Sequence, residues 1–227
     1  MIVIGISGPS SSGKSTLARI LRRIYDGSFI LHQDDFYKAE EEIPITNGVR
    51  NWDCKEAVDF EEFISTLDYI SHQDRLPPLL VSKEDANEVP DSGVSNEFIE
   101  CLRKRVTIHN DGKRKVCIID GFLLYHDPQI IPRLQLRILL RADYQTLKAR
   151  RNARSGYVTL EGFWKDPPNY FEDIVWPEYL AHHSHLFQDK QQQQLADEYT
   201  DVIHLAKGWS MTELVSWAVE IIEKEAP

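Results

Sequence analysis

An eight-residue segment near the start of the sequence constrains the fold more than any other part of it. The segment fits the pattern G-x-x-x-x-G-K-[ST] and reads Gly8-Pro9-Ser10-Ser11-Ser12-Gly13-Lys14-Ser15. An apolar run, Ile2–Ile6, precedes it, and apolar residues at helical spacing follow from Thr16 onward. A strand, a loop and a helix in this order direct backbone N–H groups and the positive end of a helix dipole at one point. The segment therefore predicts a phosphate-binding loop, and an ordinary Ser/Gly-rich turn is the alternative.

Two side chains of this loop suit a nucleoside triphosphate. The Lys14 ammonium is expected to reach the β- and γ-phosphates of ATP, and the Ser15 hydroxyl is expected to hold Mg²⁺. We therefore expect the loop, together with Thr16 directly after it, to bind the nucleotide, and Lys14 to act as a catalytic residue.

Composition and charge limit the class of protein. The 227 residues are 42% hydrophobic and 27% charged, which predicts one globular domain over residues 1–227. The formal net charge of −10 argues against nucleic acid or an anionic membrane as a partner, since both need a basic face. Three cysteines without C-x-x-C spacing predict reduced thiols in the cytoplasm, with the nucleus as an alternative. We expect neither a secretory signal nor a membrane span, and a monomer or weak homodimer.

Short apolar runs alternate with helical patterns along the chain. Strands are predicted at 28–32, 116–121, 136–140 and 200–205, in addition to the first. Helices are predicted at 16–23, 53–67, 143–153, 175–188 and 211–224. Alternation of this kind predicts an α/β fold with a five-stranded parallel sheet flanked by helices.

Two stretches interrupt this alternation. Residues 71–114 are polar and contain several prolines, so they predict an insertion with one helix near 96–104. Residues 152–169 are rich in glycine, proline and aromatic residues and predict a mobile loop. We expect residues 150–170 to form a lid over the nucleotide.

Acidic residues follow two of the predicted strands. Because the carboxyl ends of parallel strands meet at one edge of a sheet, Asp34 and Asp120 should lie close to the phosphate loop. Asp120 ends four apolar residues and could hold Mg²⁺, or it could simply end the strand. Asp34 could orient a hydroxyl nucleophile and accept its proton, or Asp34 and Asp35 could form a turn or a helix cap.

Asp53 has two possible roles. The pattern Asp53-x-x-Glu56 before an apolar helix is typical of a capping box, and this spacing favours an N-cap. Both roles are compatible if one carboxylate oxygen caps the helix and the other faces a ligand.

Two basic clusters lie in the second half of the chain. Arg150, Arg151 and Arg154 could belong to a lid that closes over a transferring phosphoryl group, or they could stabilise a helix C-terminus. The triplet His182, His183 and His185 lacks the further ligands of a zinc site, so a solvated helix face is the favoured interpretation.

Taken together, these segments resemble the nicotinamide riboside kinases, which belong to the uridine-kinase branch of the P-loop kinases. The resemblance spans the chain except for 71–114 and part of 155–169. The segments that carry it are Gly5-Ile6-Ser7-Gly8, Gln33-Asp34-Asp35-Phe36-Tyr37-Lys38, Trp52-Asp53, Ile119-Asp120-Gly121-Phe122-Leu123-Leu124, Arg150-Arg151 and Tyr170-Phe171 through Val175-Trp176-Pro177.

The resemblance implies transfer of the ATP γ-phosphate to the 5′-hydroxyl of nicotinamide riboside, which gives the mononucleotide. It implies that Asp34 accepts the proton and is linked to Mg²⁺, and that Asp53 binds ribose hydroxyls. It implies that Trp52 lies against the base. Asp120 stands where animal members of the family carry glutamate.

The resemblance also assigns the remaining candidates for the site. Around the acceptor, it implies contacts with the substrate from Asp35, Phe36, Tyr37, Arg151, Tyr157 and Asp166. It implies contacts with the nucleotide from Arg150 and Arg154.

The acceptor itself leaves several alternatives. A positively charged pyridinium suits a pocket of carboxylates and aromatic rings better than a neutral pyrimidine does. Nicotinic acid riboside is a second acceptor to test, and uridine or cytidine is the alternative substrate. A nucleotide-dependent regulatory switch is a further alternative of a different class, although the sequence has no Asn-Lys-x-Asp signature for guanine.

Overall fold

The computed structural model describes residues 1–84, 87, 91–110, 115–159, 162–189, 191–206 and 208–225. The strands are β1 (Ile2–Ser7), β2 (Phe29–His32), β3 (Ile45–Thr46), β4 (Val49–Arg50), β5 (Val116–Asp120), β6 (Leu136–Leu139), β7 (Tyr157–Val158), β8 (Phe163–Trp164) and β9 (His204–Leu205). The helices are α1 (Lys14–Ile24), α2 (Phe60–Gln73), α3 (Asn96–Asn110), α4 (Tyr144–Asn152), α5 (Trp176–His183), α6 (Asp197–Thr200) and α7 (Met211–Glu225). No helix in these ranges has the length and apolar character needed to cross a membrane.

A parallel sheet with the strand order β2-β5-β1-β6-β9 forms the centre of the molecule, as the sequence predicted. In its register, Ile6 of β1 and His32 of β2 both lie opposite Asp120 of β5. The phosphate loop follows β1, and Asp34 follows β2. The register therefore brings the loop, Asp34 and Asp120 to the same edge of the sheet.

Helices cover both faces of the sheet, because successive side chains of a strand point to opposite sides. On one face, Ile4 and Ile6 belong to a buried cluster with side chains of α1, α3 and α7. On the other face, Val3 packs in a cluster with α2 and with Tyr125. Burial on both faces explains why the strands are almost continuously apolar.

The structure corrects the predicted start of α2. Asp53 does not cap this helix; Asp59 does, because its carboxylate accepts a hydrogen bond from the Glu62 amide at 2.9 Å. Between them, the chain pairs with the segment after β2 through a bridge from Val58 to Tyr37. This extended pairing interrupts the helix that the apolar spacing alone indicated.

The structure also corrects the expectations for the histidine triplet and α5. The helix begins at Trp176, one residue after the predicted start, but ends at His183 instead of Gln188. His183 is 1% exposed and His182 is 9% exposed, so the interpretation of a solvated face is wrong for both. His185 alone is exposed. The ring of Tyr179, within α5, lies 4.5 Å from that of His183, and the ring of His126 packs against that of His182 at 4.4 Å, measured between centroids.

Other elements differ from prediction in length. Of the predicted strand 200–205, only His204–Leu205 pairs with β6, and Thr200 is the last residue of the short helix α6. Within 71–114, α3 buries Ile99, Leu102 and Val106 in the cluster that contains α1 and α7. Residues 85–86, 88–90 and 111–114 of that predicted insertion, and 160–161 of the predicted lid, lie outside the described residues.

Candidate active site

A cavity opens at the carboxyl edge of the sheet, and we call it the main cavity. The phosphate loop contributes Ser10, Ser11, Lys14 and Ser15 to its lining. Five carboxylates also line it: Asp34, Asp35, Asp53, Glu84 and Asp120. Aromatic rings complete much of the rest: Tyr37, Trp52, Phe122, Tyr157 and Trp164. The structure thus brings together residues that are far apart in the sequence.

Two glycines fix the backbone of the phosphate loop. Gly8 has a φ of 142°, and a Cβ atom at this position would lie 2.4 Å from the Leu140 carbonyl oxygen. Gly13 has a φ of 99° and leads directly into α1. No described side chain caps the N-terminus of α1, and its first turn contains no acidic residue. The positive end of the helix therefore remains available for an anion.

Lys14 is held within the loop that it belongs to. Its ammonium group donates a hydrogen bond to the Pro9 carbonyl oxygen at 3.0 Å. Burial lowers the pKa of Lys14, although the nearby carboxylates of Asp120 and Asp34 oppose this effect. The two carboxylates favour the charged form that would attract phosphate oxygens.

Asp34 lies in a single 3₁₀ turn, Gln33–Phe36, directly after β2. Burial and the neighbouring carboxylates of Glu84 and Asp120 raise the pKa of Asp34 to about 7, against the opposite effect of Lys14. A carboxylate with this pKa can take up a proton near neutral pH, which is the property of a general base.

Asp120 is fixed by a neighbour from β2. Its Oδ2 atom lies 2.9 Å from Nδ1 of His32, and both side chains are buried. Burial would raise the pKa of Asp120, but the hydrogen bond with His32, and the charges of His32 and Lys14, lower it overall. Ser15 is close enough to the same carboxylate to help lower its pKa. These contacts therefore favour the charged form of Asp120, whose carboxylate lies close to the Ser15 hydroxyl.

This pair of oxygen donors fits Mg²⁺. Magnesium is usually held by one or two carboxylates, together with substrate phosphates and water. The described residues contain no cluster of three or more His, Cys, Asp or Glu side chains that could hold a metal ion. Ser15 and Asp120 would supply two oxygen ligands, and the phosphates of a bound nucleotide would supply others.

Arg151 connects the phosphate loop with two carboxylates. Its guanidinium donates to the Ser10 hydroxyl at 2.6 Å and to Asp166 at 2.6 and 3.1 Å. A longer contact of 3.4 Å joins it to Asp53. Arg151 is 7% exposed, and Asp53 and Asp166 raise its pKa well above its ordinary value although burial opposes them. A charge buried this deeply needs such partners.

Aromatic residues form the other side of the main cavity. The ring of Trp52 lies 5.4 Å from that of Tyr37 and 5.9 Å from that of Trp164, measured between centroids. Arg151 and Arg154 lie over the ring of Tyr157, at 4.6 and 5.0 Å from its centroid. Aromatic faces beside carboxylates suit a flat, positively charged ring.

The structure does not bring every predicted residue to the main cavity. Phe36 is 2% exposed, and its ring packs against Phe63 in the core at a centroid distance of 5.1 Å. Arg150 instead donates to the Ser11 carbonyl oxygen at 3.4 Å. Asp166 reaches the site through Arg151 and through the indole N–H of Trp164, which donates to it at 2.9 Å.

Sequence reasoning missed a part of the site that lies within 71–114. Lys83, Glu84 and Asn87 line the main cavity, and we call them the wall segment. Oδ1 of Asp35 accepts hydrogen bonds from the Lys83 and Glu84 amides at 2.7 and 3.1 Å. This oxygen is therefore engaged by the backbone of the chain. No motif marked these residues.

Further contacts fix the wall segment to its surroundings. Arg19 of α1 donates to the Glu84 carbonyl oxygen at 2.9 Å and lies 3.3 Å from its carboxylate. Oδ1 of Asn87 accepts a hydrogen bond from the Val158 amide at 2.8 Å. Since Val158 belongs to the hairpin of β7 and β8, the wall segment is joined to the predicted lid.

Two aromatic residues of the cavity were also missed. Phe122 lies two residues after Asp120, where β5 ends, and this closeness to a predicted ligand was a usable signal. Trp164 lies in β8, opposite Tyr157 in the hairpin register. The sequence predicted a mobile loop here and not this hairpin, so nothing marked Trp164.

Comparison with known proteins identifies the family. No protein-family model matches the chain. A nicotinamide riboside kinase from Schizosaccharomyces pombe is 42% identical over 187 residues, which cover 82% of this chain and 80% of the relative. One from Eremothecium gossypii is 40% identical and covers 83% of this chain and 78% of the relative. One from Saccharomyces cerevisiae is 36% identical, with coverage of 82% and 79%. With its phosphate loop, acidic edge and aromatic pocket in place, the chain belongs to the nicotinamide riboside kinases.

Proposed function

We propose that this protein transfers the γ-phosphate of ATP to the 5′-hydroxyl of nicotinamide riboside and so forms the mononucleotide used in NAD biosynthesis. The observation that carries the proposal is the shared cavity of Lys14 and Asp34 at the carboxyl edge of the sheet. A phosphate loop on one side and a carboxylate of raised pKa on the other are what phosphoryl transfer to a hydroxyl needs.

The nucleotide occupies the loop side of the main cavity. Backbone N–H groups at the start of α1 and the Lys14 ammonium bind the phosphate oxygens. Arg154, over the ring of Tyr157, lies at the rim of the same cavity and faces the nucleotide from the lid. Arg150 supports the loop through Ser11.

Ser15 and Asp120 would hold Mg²⁺, with Asp34 beside them. Bound there, the ion would neutralise charge on the β- and γ-phosphate oxygens.

Asp34 acts on the acceptor hydroxyl. Its carboxylate accepts the proton of the 5′-hydroxyl while the 5′-oxygen forms a bond to the γ-phosphorus. The bond from that phosphorus to the bridging oxygen breaks, and ADP leaves with the electron pair. The pKa of about 7 suits this role, because a base whose pKa lies near the operating pH combines a useful deprotonated fraction with a high affinity for the proton.

The acceptor occupies the aromatic side of the main cavity. Asp53, oriented by Arg151, binds ribose hydroxyls. Trp52 and Tyr37 meet edge to face and form a corner against which the pyridinium packs, together with Tyr157. A cation against aromatic faces gains about 0.5–2 kcal/mol, which a neutral pyrimidine does not.

The test is a direct assay with Mg-ATP. Nicotinamide riboside should give its 5′-monophosphate, with uridine and cytidine turned over far more slowly. Nicotinic acid riboside, assayed in parallel, measures how a carboxylate on the ring is tolerated. Rapid turnover of uridine or cytidine without turnover of the pyridine ribosides would overturn the proposal.

We also infer a cytoplasmic monomer or weak homodimer that does not bind nucleic acid. The cysteines Cys54, Cys101 and Cys117 are all free, which agrees with a reducing compartment. Light scattering over a range of protein concentrations would test the oligomeric state.

A further inference from the structure

A second, smaller cavity lies next to the main cavity. Pro9, Ser10, Asp53, Tyr179 and His183 contribute to its lining. Ser10 and Asp53 line the main cavity as well. The small cavity therefore touches the phosphate loop and the acceptor side at the same time.

His183 has one ring nitrogen without a partner. Its Nδ1 lies 3.0 Å from the Tyr179 carbonyl oxygen. Because a carbonyl oxygen can only accept, Nδ1 carries the hydrogen, and Nε2 of the neutral ring presents a lone pair. Burial lowers the pKa of His183 to about 3, which agrees with a neutral ring. Nε2 is buried and has no hydrogen-bond partner among the described residues.

Two further polar side chains, Ser10 and Asp53, line the same small cavity. The Ser10 hydroxyl accepts a hydrogen bond from Arg151 at 2.6 Å, so its own hydrogen can be donated elsewhere. The Asp53 carboxylate is an acceptor with several lone pairs, and its contact with Arg151 is a long 3.4 Å. Buried waters typically make about three hydrogen bonds to polar groups of this kind, whereas purely apolar cavities stay dry.

We propose that one ordered water molecule occupies the small cavity, bonded to His183, Ser10 and Asp53, and that His183 is a positioning residue for the acceptor-binding carboxylate. The water donates one hydrogen to Nε2 of His183 and the other to Asp53. It accepts the hydrogen of Ser10. Nε2 of His183 then has a partner, and the water links α5 to the Asp53 carboxylate and so helps to fix its orientation.

This inference rests on the proposed function only where it concerns Asp53 and the acceptor. The water site itself can be tested without substrate. A crystal structure with well-ordered solvent should show density in the small cavity of the unmodified protein. An empty cavity would overturn the proposal even if the kinase activity is as proposed.

Substitutions of His183 test the positioning role. His183→Gln keeps an acceptor at the position of Nε2, whereas His183→Leu removes it. We expect His183→Leu to raise the KM for the acceptor about fivefold to tenfold, the cost of one or two lost hydrogen bonds, with kcat within twofold. His183→Gln should remain within twofold of the unmodified protein in both constants.

Two further variants make the outcome decisive. His185→Leu is the matched control, since His185 is exposed on the same segment, and its KM should not change. If His183→Leu does not fold, His183→Asn replaces it, because its shorter side chain has no acceptor at the position of Nε2. A folded variant that lacks this hydrogen-bond acceptor but has an unchanged KM for the nucleoside would overturn the positioning role.

Failure of the proposed function would give a different pattern. In that case no variant phosphorylates the acceptor, while the water density and its loss in His183→Leu remain. Loss of the water density only in variants that lack the hydrogen-bond acceptor of His183 supports the water site independently of turnover.

Discussion

The phosphate loop and the acceptor side of the main cavity are held in different ways. The loop has local determinants, namely the bond from Lys14 to the Pro9 carbonyl and the positive φ of Gly8, 142°. On the acceptor side, Asp53 depends on Arg151, which is 98 residues away in the sequence. Local determinants make the loop a recognisable motif, whereas the acceptor side depends on contacts between distant segments. Substitutions in the phosphate loop and on the acceptor side should therefore differ in which kinetic constant they change and by how much.

The largest effect is expected for the loop. Lys14→Ala should lower kcat by a factor on the order of 10³ or more, because a charge aimed at the transferring phosphoryl group is lost. Lys83→Ala is the matched control, since Lys83 lines the same cavity on the wall segment. Steady-state kinetics together with melting temperatures would check this, and equal losses in both variants would contradict the special position of Lys14.

Asp34 should be next in effect on activity. Asp34→Asn retains the shape of the side chain but cannot accept the proton, so kcat should fall by a factor on the order of 10² to 10³. Asp35→Asn is the comparison, because Asp35 is engaged by the amides of Lys83 and Glu84 and should lose less. Activity of Asp34→Asn close to that of the unmodified protein would remove Asp34 from its role as the base.

The same substitution should stabilise the fold at alkaline pH. The pKa of Asp34 in the folded protein, about 7, lies above its ordinary value of 3.8. The folded state therefore binds this proton more tightly, and its contribution to stability is present at low pH and is lost as the pH rises from about 4 to about 7. At pH 8, Asp34→Asn should melt several degrees higher than the unmodified protein, since about 1 kcal/mol corresponds to about 2–4 °C at this size. Melting curves from pH 4 to 8 would show this difference, and an unchanged difference across that range would contradict it.

Arg151 tests the connection between the two regions. Arg151→Lys keeps the charge but cannot contact Ser10, Asp53 and Asp166 at once, so kcat/KM should fall about tenfold to a hundredfold. Arg150→Lys is the control, because Arg150 makes one long contact with a carbonyl oxygen. Comparison of the two variants by kcat/KM for the acceptor decides whether the multiple contacts matter.

The smallest effect is expected for the wall segment. Asn87→Ala removes the side-chain oxygen that accepts a hydrogen bond from the Val158 amide. The KM for the nucleoside should therefore rise about twofold to fivefold. Kinetics with saturating ATP would measure this. A larger fall in kcat/KM than that of Arg151→Lys would reverse the proposed ranking of the two contacts.

The parts of the fold that follow from local rules could be predicted from the sequence. The strand, glycine-rich loop and helix around Lys14 depend on residues adjacent in the chain, and Asp120 was placed by the parallel sheet. The start of α2 was missed because Val58 pairs with Tyr37, a contact that no helical periodicity reveals. The burial of His183 likewise depends on packing between separate elements.

The residues of the candidate site divide in the same way, into those that local rules locate and those that distant contacts place. Residues near strand ends, such as Asp34, were found because the topology of a parallel sheet brings strand ends together. Lys83, Glu84 and Asn87 were missed since their positions are set by Asp35, Arg19 and Val158 from three other segments. Polar residues in a proline-rich stretch give no periodic signal that could have located them.

The guanidinium of Arg151 has a thermodynamic consequence. Because one group bonds to a loop serine and to two carboxylates of the acceptor side, ordering any one of these partners restricts the others. Nucleotide and nucleoside should therefore bind with positive coupling, each lowering the entropy cost of the other's arrival. By reciprocity, the gain in nucleoside affinity caused by a non-hydrolysable ATP analogue must equal the gain in analogue affinity caused by the nucleoside.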